Sequence, residues 1–530
     1  MGKRALFALL LLVGCNEGKD SPKTVGGGSG TTPTVPSCAA AGGGTAVSAP
    51  ALSIGLKGDS SYGWLGSPVV TDVDGDGKQE ILAAHEKVMA WRADGSVAWQ
   101  FAPKVGRVWA GLVVADFRDG PELETVVASR GQVWMLDAKG AVLSGWPVTW
   151  RDEIRSLAAG DVNGDGQLDV VVASTKHTPD ILNAYTAAGQ QVAGFPPIAS
   201  GTIGCQHGTN CWVAGAFDQN LAVGDLDGTN GLDIVAPMDC SYAGFFHGTG
   251  VAFDANPMFK KRPKTMGVRY LHTLSQAQQG WADNEDTELQ AHFTNTPPAI
   301  ADVDGDGKNE VIMLASVQNA SQADREKGVA LWVVRNDASR LPGWETPFHA
   351  PEYVFGLWDY DEDNAVGATN QVVVADIDAT HAGPEFIFAG FDARIHAVTA
   401  DRQELWATTY AEDGRVLTGG VVVGDLSKDG IPEIVFATYS PDDNRSSLFI
   451  MDAGGHVLHR VALPQHGSAV PTLADVDGDG AVEIVLSMRK VHWDGSEPAV
   501  AIYKVPGSAT NCLLWPTGRA NYLRNGWVKN

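Results

Sequence analysis

Three copies of one hexapeptide, DVDGDG, stand at Asp72–Gly77, Asp302–Gly307 and Asp475–Gly480. Each places a carboxylate at every second position and a glycine after the second and third. Carboxylates this dense repel one another unless a cation sits among them. With a further acid at the ninth position, the pattern D-x-D-x-D-G-x-x-[DE] offers side-chain oxygens at positions 1, 3, 5 and 9 and a backbone carbonyl at 7. Calcium takes about six to eight oxygens in flexible geometry, whereas magnesium resists so full a protein cage. Zinc prefers histidine and cysteine, which these loops lack. The first set is Asp72, Asp74, Asp76, the Lys78 carbonyl and Glu80; the other full sets are Asp302, Asp304, Asp306, Glu310 and Asp475, Asp477, Asp479, Glu483. Asp161, Asn163, Asp165 and Asp169 make a nearly full set. Asp225, Asp227 and Asp233 have Thr229 at the fifth position, and Asp425, Asp429 and Glu433 have Ser427 at the third. About five structural calcium ions are expected. An EF-hand also needs a glutamate at position 12 between two helices. Position 12 is Ala83, Val172, Ala236, Met313 and Leu486 in the best copies, inside strand-like runs, so a calmodulin-style switch is excluded.

These loops belong to a longer repeat. Eight related segments align on Asp72, Asp116, Asp161, Asp225, Asp302, Asp376, Asp425 and Asp475, at spacings of 44, 45, 64, 77, 74, 49 and 50 residues. A short apolar run precedes each aspartate. An acid and a β-branched run follow, then a stretch of alternating pattern broken at a Gly or Asp turn. Each unit therefore reads as four short antiparallel strands, with no convincing amphipathic helix between Ser67 and Asn511. Repeated units of this kind predict an all-β propeller of four-stranded blades, eight by count and seven if one degenerate unit is an insertion. Residues 239–298 are long enough for an extra hairpin or cap. In the second copy Arg118 occupies position 3, where its guanidinium is expected to replace the ion. The sixth copy, DIDATHAGPE, lacks the third carboxylate and is expected to hold no tight site.

The eight units resemble the FG-GAP/VCBS repeats of bacterial surface proteins and integrin α-chain propellers. The resemblance implies that the calcium loop joins the first two strands of a blade, and it says little about function. The ending WPTGRANYLRNG also resembles the terminal segment of some bacterial members.

Lys3 and Arg4 precede an apolar run, Ala5–Val13, that is too short to span a bilayer. It ends in LVGC, which resembles a bacterial lipobox; this makes residues 1–14 a signal peptide and Cys15 the lipidated residue. Asn16 follows rather than aspartate, favouring the outer membrane or cell surface. Residues 15–50, rich in Gly, Ser, Thr and Pro, read as a flexible tether, and 51–530 as the propeller. Of the remaining cysteines, Cys205 and Cys211 lie in one loop and form a possible disulfide, while Cys38 and Cys512 flank the folded region and would staple its ends if paired. The formal net charge of −25 argues against nucleic acid or an anionic membrane as partner.

No nucleophile elbow, HExxH, phosphate loop or dinucleotide fingerprint is present. His207, His247, His272 and His292 near the fourth-unit insertion read as surface or turn residues. The expected function is a non-enzymatic binding or adhesion scaffold with an extracellular protein or glycan ligand. The alternatives are a polysaccharide lyase-like enzyme, which would need an Arg/His/acid cluster in the axial cleft, and a lectin built on the same propeller.

Overall fold

In seven of the eight repeats the β-branched run after the acid-rich loop is a strand buried along its whole length, as in Glu124–Ser129, Asp169–Ser174 and Glu433–Ala437, and in the fifth it is buried over 310–317. A sheet buried on both faces needs a neighbour on each side, and a closed ring of sheets supplies one everywhere. The computed structural model has this form. It describes residues 35–58, 66–151, 153–174, 182–197, 221–237, 241–260, 262–278, 289–293, 296–318, 327–353, 370–412, 416–440, 446–464, 470–488 and 498–529. Cys15, most of the tether, Cys205, Cys211 and His207 lie outside them.

Eight antiparallel sheets form eight blades. Their innermost strands are Val69–Thr71, Val113–Ala115, Ile154–Gly160, Ala222–Gly224, Ala299–Ala301, Val373–Ala375, Val422–Gly424 and Thr472–Ala474. Blades 1, 2, 6, 7 and 8 have four strands, and blades 3 and 4 have three among the described residues. Blade 5 gains a fifth, Gln290–His292, paired beside the far end of Glu310–Gln318. That extra strand comes from the 239–298 insertion. Among the described residues the insertion also carries two 3-10 turns, Pro257–Phe259 and Thr265–Gly267, and one short α-helix, Leu274–Gln278, and sends Phe259, Tyr270 and Phe293 into the core between blades 4 and 5.

The apolar clusters lie between blades rather than within them. Val69, Leu82 and Ala90 of blade 1 pack with Val114, Val127 and Trp134 of blade 2. Blades 8 and 1 meet through Val485, Ile502, Val70 and Ile81. Ring closure is by strand exchange, since Ala51–Leu56 from the N-terminal end is the outermost strand of blade 8, paired with Val500–Val505. Cys38 is disulfide-bonded to Cys512 across 474 residues. The expected tether therefore stops short of residue 50. Val35 is buried in the apolar core, Ala41 and Gly43 donate backbone N–H groups to the Lys428 carbonyl, and His459 contacts the Val47 carbonyl.

The axis of the ring is threaded by the C-terminal segment. Trp515 exchanges two backbone hydrogen bonds with Val423, and Leu473 donates to Pro516. Val114, Ala159, Val223 and Ile300 donate to Tyr522, Leu523, Asn525 and Gly526 in turn. The Tyr522 hydroxyl bonds both backbone groups of Val70, and the Arg519 N–H donates to Gln371, two residues before the inner strand of blade 6. All eight blades are thus tied to one short stretch. Arg524 is buried and donates to the carbonyls of Leu112, Ser67 and Gly518. Arg519 likewise donates to the carbonyls of Leu157 and Leu221.

Candidate metal centres

The acid-rich loops join the first and second strands of every blade, as the resemblance implies. Their closing acid, at position 9 and in the longer sixth loop at position 10, does the same local work in all eight. One oxygen of Glu80, Glu124, Asp169, Asp233, Glu310, Glu385, Glu433 and Glu483 accepts the N–H of the residue after the anchoring aspartate. Sequence reasoning gave this acid only a ligand role. Its presence in the two copies with degraded loops, Glu124 and Glu385, was the available signal that it also closes the turn.

The anchoring aspartate caps the loop from the other side. Asp72 accepts from the N–H groups of Gly75, Asp76 and Gly77, and Asp302 and Asp475 repeat the pattern from Gly305 and Gly307, and from Gly478, Asp479 and Gly480. The glycine at position 6 has φ of 85°, 82° and 86° in Gly77, Gly307 and Gly480, a left-handed conformation that disfavours a side chain. Asp76 accepts from the Lys78 N–H, and Asp306 and Asp479 likewise cap position 7.

Carboxylate oxygens converge to within 4.8 Å in four loops: Asp72, Asp74 and Glu80; Asp302, Asp304 and Asp306; Asp475, Asp477 and Glu483; and Asp227 and Asp233 with His247. Asp161, Asp165 and Asp169, and Asp425, Asp429 and Glu433, do not converge this closely. In the third loop the Asn163 amide nitrogen points at Asp169, and in the seventh Asn511 reaches Asp425 from the C-terminal segment. Electrostatics add to the demand for a cation. Burial, helped by the charges of the loop aspartates and opposed by the Val303 N–H, pushes Glu310 up to about 8. Burial likewise raises Asp169 and Glu433 to about 7 and moves Glu80 and Glu483 upward. The all-oxygen donors of loops 72–80 and 302–310 suit a hard divalent cation.

Burial raises Glu124, and the charge of Arg118 in the same loop works against that rise, while the hydrogen bonds of Arg118 go elsewhere. Its guanidinium donates to the carbonyls of Ser144 at 2.9 Å and Ala187 at 3.1 Å, bridging blade 2 to blade 3 because those carbonyls need a donor at the blade boundary. In the sixth loop Asp378 is engaged by Thr380 and His381. Of the histidines, His247 belongs to the fourth loop, 3.2 Å from Asp227 and 3.4 Å from Asp233 and stacked on Phe253. His292 is buried on the added strand of blade 5, and His272 packs beside His349.

The loops are also linked around the rim. Leu123 donates to the Val73 carbonyl, Leu232 to Asp161, and the Asn309 side chain to Asp225, so neighbouring loops share hydrogen bonds.

Comparison with known proteins adds one assignment. Residues 154–190 match the FG-GAP repeat. Blade 3 is an FG-GAP repeat. The match covers its three strands and the loop between Asp161 and Asp169, and the seven other loops share the hydrogen bond made by that loop's closing acid. No curated protein matches the chain. In overall shape it is similar to the Vibrio cholerae biofilm matrix protein Bap1 (13% identity, TM-score 0.41, 87% of this chain and 92% of that one). It is also similar to BamB from Moraxella catarrhalis (12%, 0.44, 86% and 98%) and to a quinohemoprotein alcohol dehydrogenase from Comamonas testosteroni (12%, 0.49, 87% and 77%). At these values the likeness carries nothing about ligand or activity.

Proposed function

We propose that this chain is a calcium-stabilised propeller, lipid-anchored through Cys15 at the outer membrane or cell surface, acting as a non-enzymatic binding or adhesion scaffold. The observation that carries the reading is the rim itself: oxygens converge in loops 72–80 and 302–310, and each loop is locked to its own blade and often to the next. Calcium there rivets the ring and does not act on a substrate.

Two features support a scaffold over a lyase-like enzyme. An axial cleft would be needed for catalysis, and the axis is filled by Trp515–Val528. Antiparallel topology also sends the acid-rich loops to one end of the ring and the second-to-third-strand connections, such as His85–Lys87 and Gly390–Ala393, to the other. That other end also takes the joints between blades, such as 102–112, and is free of the repeat's constraints. An extracellular protein or glycan would bind there.

The test uses the chain from Val35 onward, so that Cys38 keeps its partner. A glycan array and a polysaccharide-depolymerisation screen should give binding without release of oligosaccharides. Turnover of any polysaccharide would contradict the scaffold.

A further inference from the structure

The three DVDGDG loops are identical in sequence, yet the strand beside each one differs. The residue directly across from the position-9 acid, at the end of the third strand, is Arg92 in blade 1 and Lys504 in blade 8. Continuing the registers of blades 4 and 5 by one pair puts His247 across from Asp233 and Arg335 across from Glu310. In the other four blades the same position is Asp137, Thr186, Thr399 or Asp452, and each of these caps the next hairpin turn instead. One position thus divides the blades into those with a basic side chain beside the acid loop and those without.

The basic side chains reach different depths. Lys504 Nζ lies 2.7 Å from Asp477, 2.5 Å from Asp479 and 3.2 Å from Glu483. An ammonium has three N–H donors, and here it meets three carboxylates, those of positions 3, 5 and 9. These are the oxygens a divalent ion in that loop would use. Arg335 touches a single carboxylate, Asp304, at 3.3 Å. Arg92 is exposed, and its charge is felt by Asp94 in the following turn.

The geometry points to Lys504 as the resident cation of loop 475–483: it holds that loop closed without a divalent ion, while the identical hexapeptide at Asp72–Gly77 is left to take the metal. The inference rests on the calcium reading above only for what the other loops bind. Lys504 cannot shift with its backbone, because Val500–Val505 is paired on both sides, with Val482–Ser487 and with Ala51–Leu56. An entering ion must expel the side chain, against a local concentration fixed by the strand. A metal and an ammonium cannot share those oxygens, since their repulsion at such a separation is large. Blade 8 is the blade in which the N-terminal strand closes the ring, so this seam would hold whatever the calcium supply.

The test is calcium calorimetry on the full chain, comparing wild type with K504M and K504R. K504M should bind one more ion than wild type, or bind one site about tenfold tighter, and K504R, which gives blade 8 the residue type that blade 1 has at this position, should move the same way. An unchanged count and affinity in K504M would overturn the inference. If wild type binds no calcium and K504M binds one, the inference stands and the calcium rivets fall. Should wild type bind several ions and K504M bind no more and none tighter, the rivets stand and the inference falls. If K504M does not fold, R92K decides: a lysine opposite Glu80 should weaken or remove one ion of the wild-type count, and an unaltered count with unaltered affinity would overturn the proposal.

Discussion

The axis and the rim both join all eight blades, and they do so with opposite charge. At the axis a single segment is buried against the inner strands, and its two arginines give their N–H groups to backbone carbonyls without a carboxylate in reach among the hydrogen bonds described. Burial lowers Arg524 to about 10 and moves Arg519 down as well. At the rim, crowded carboxylates are raised by burial and by one another, so a proton or a cation must offset them near neutral pH. The axis carries its own charge in the chain, whereas on the proposed calcium reading most of the rim depends on what the solvent supplies. The axis should therefore be insensitive to ions and indispensable, and the rim adjustable.

Removing the axis should give the largest effect. A chain ending at Cys512 loses the backbone partners of Val423, Leu473, Val114, Ala159, Val223 and Ile300 at once, each an orphaned buried group costing about 1–3 kcal/mol. No cooperative melting transition is expected by circular dichroism, with or without calcium. A transition within a few degrees of the full chain would make the axis an accessory.

The next largest effect separates rim from axis. D74N with D304N removes the position-3 carboxylate from two loops and leaves the Asp72 and Glu80 backbone caps in place. A fold of this size melts with about 1 kcal/mol per degree. Two sites near 100-fold saturation contribute about 2.7 kcal/mol each. The double variant should lose about 5 °C of calcium-induced stabilisation while its melting temperature in EDTA stays level or rises. A calcium-induced gain as large as that of wild type would show that these carboxylates hold no ion.

The pH profile sharpens the same contrast. Glu310 at about 8, and Asp169 and Glu433 at about 7, are raised by folding. Between their ordinary unfolded values, 3.8 for the aspartate and 4.5 for the glutamates, and those folded values the native chain binds more protons than the unfolded one, so stability falls as pH rises. In EDTA the melting temperature should decline from pH 5 to 8. Calcium displaces those protons and should cancel the decline, so its stabilising effect grows with pH. A flat EDTA profile would show that no net proton uptake accompanies folding of these loops.

The smallest effect belongs to Arg118, which holds two exposed or half-buried carbonyls at a blade boundary. R118A should cost about 1 kcal/mol, near 1 °C, and leave the calcium response unchanged. A gain of one bound ion in R118A would show that the Arg118 charge also keeps an ion out of its loop.

The repeat was legible because it is periodic. Acid loops, β-branched second strands and turn residues recur at matching offsets, so four-stranded blades, eight by count, follow from local pattern, and the loop's place between the first two strands follows from the resemblance to FG-GAP/VCBS repeats. The axis was not, since PTGRANYLRNGW has no strand period and its partners lie hundreds of residues away, as with Arg524 and Ser67. Arg118 was legible only in part, because position in a motif says where a side chain starts and not which carbonyl at the next blade it reaches. The environment of Asp475–Gly480 was hidden for a related reason. Lys504 is 29 residues from Asp475 in sequence. It becomes the neighbour of Glu483 only through the register of blade 8.

The most direct test of the calcium rim is differential scanning calorimetry of the wild-type chain at pH 7.5, in EDTA and then in millimolar calcium. The account predicts that EDTA lowers the melting temperature by about 5 °C or more and that calcium, and not magnesium at the same concentration, restores it. An identical transition in all three conditions would contradict it.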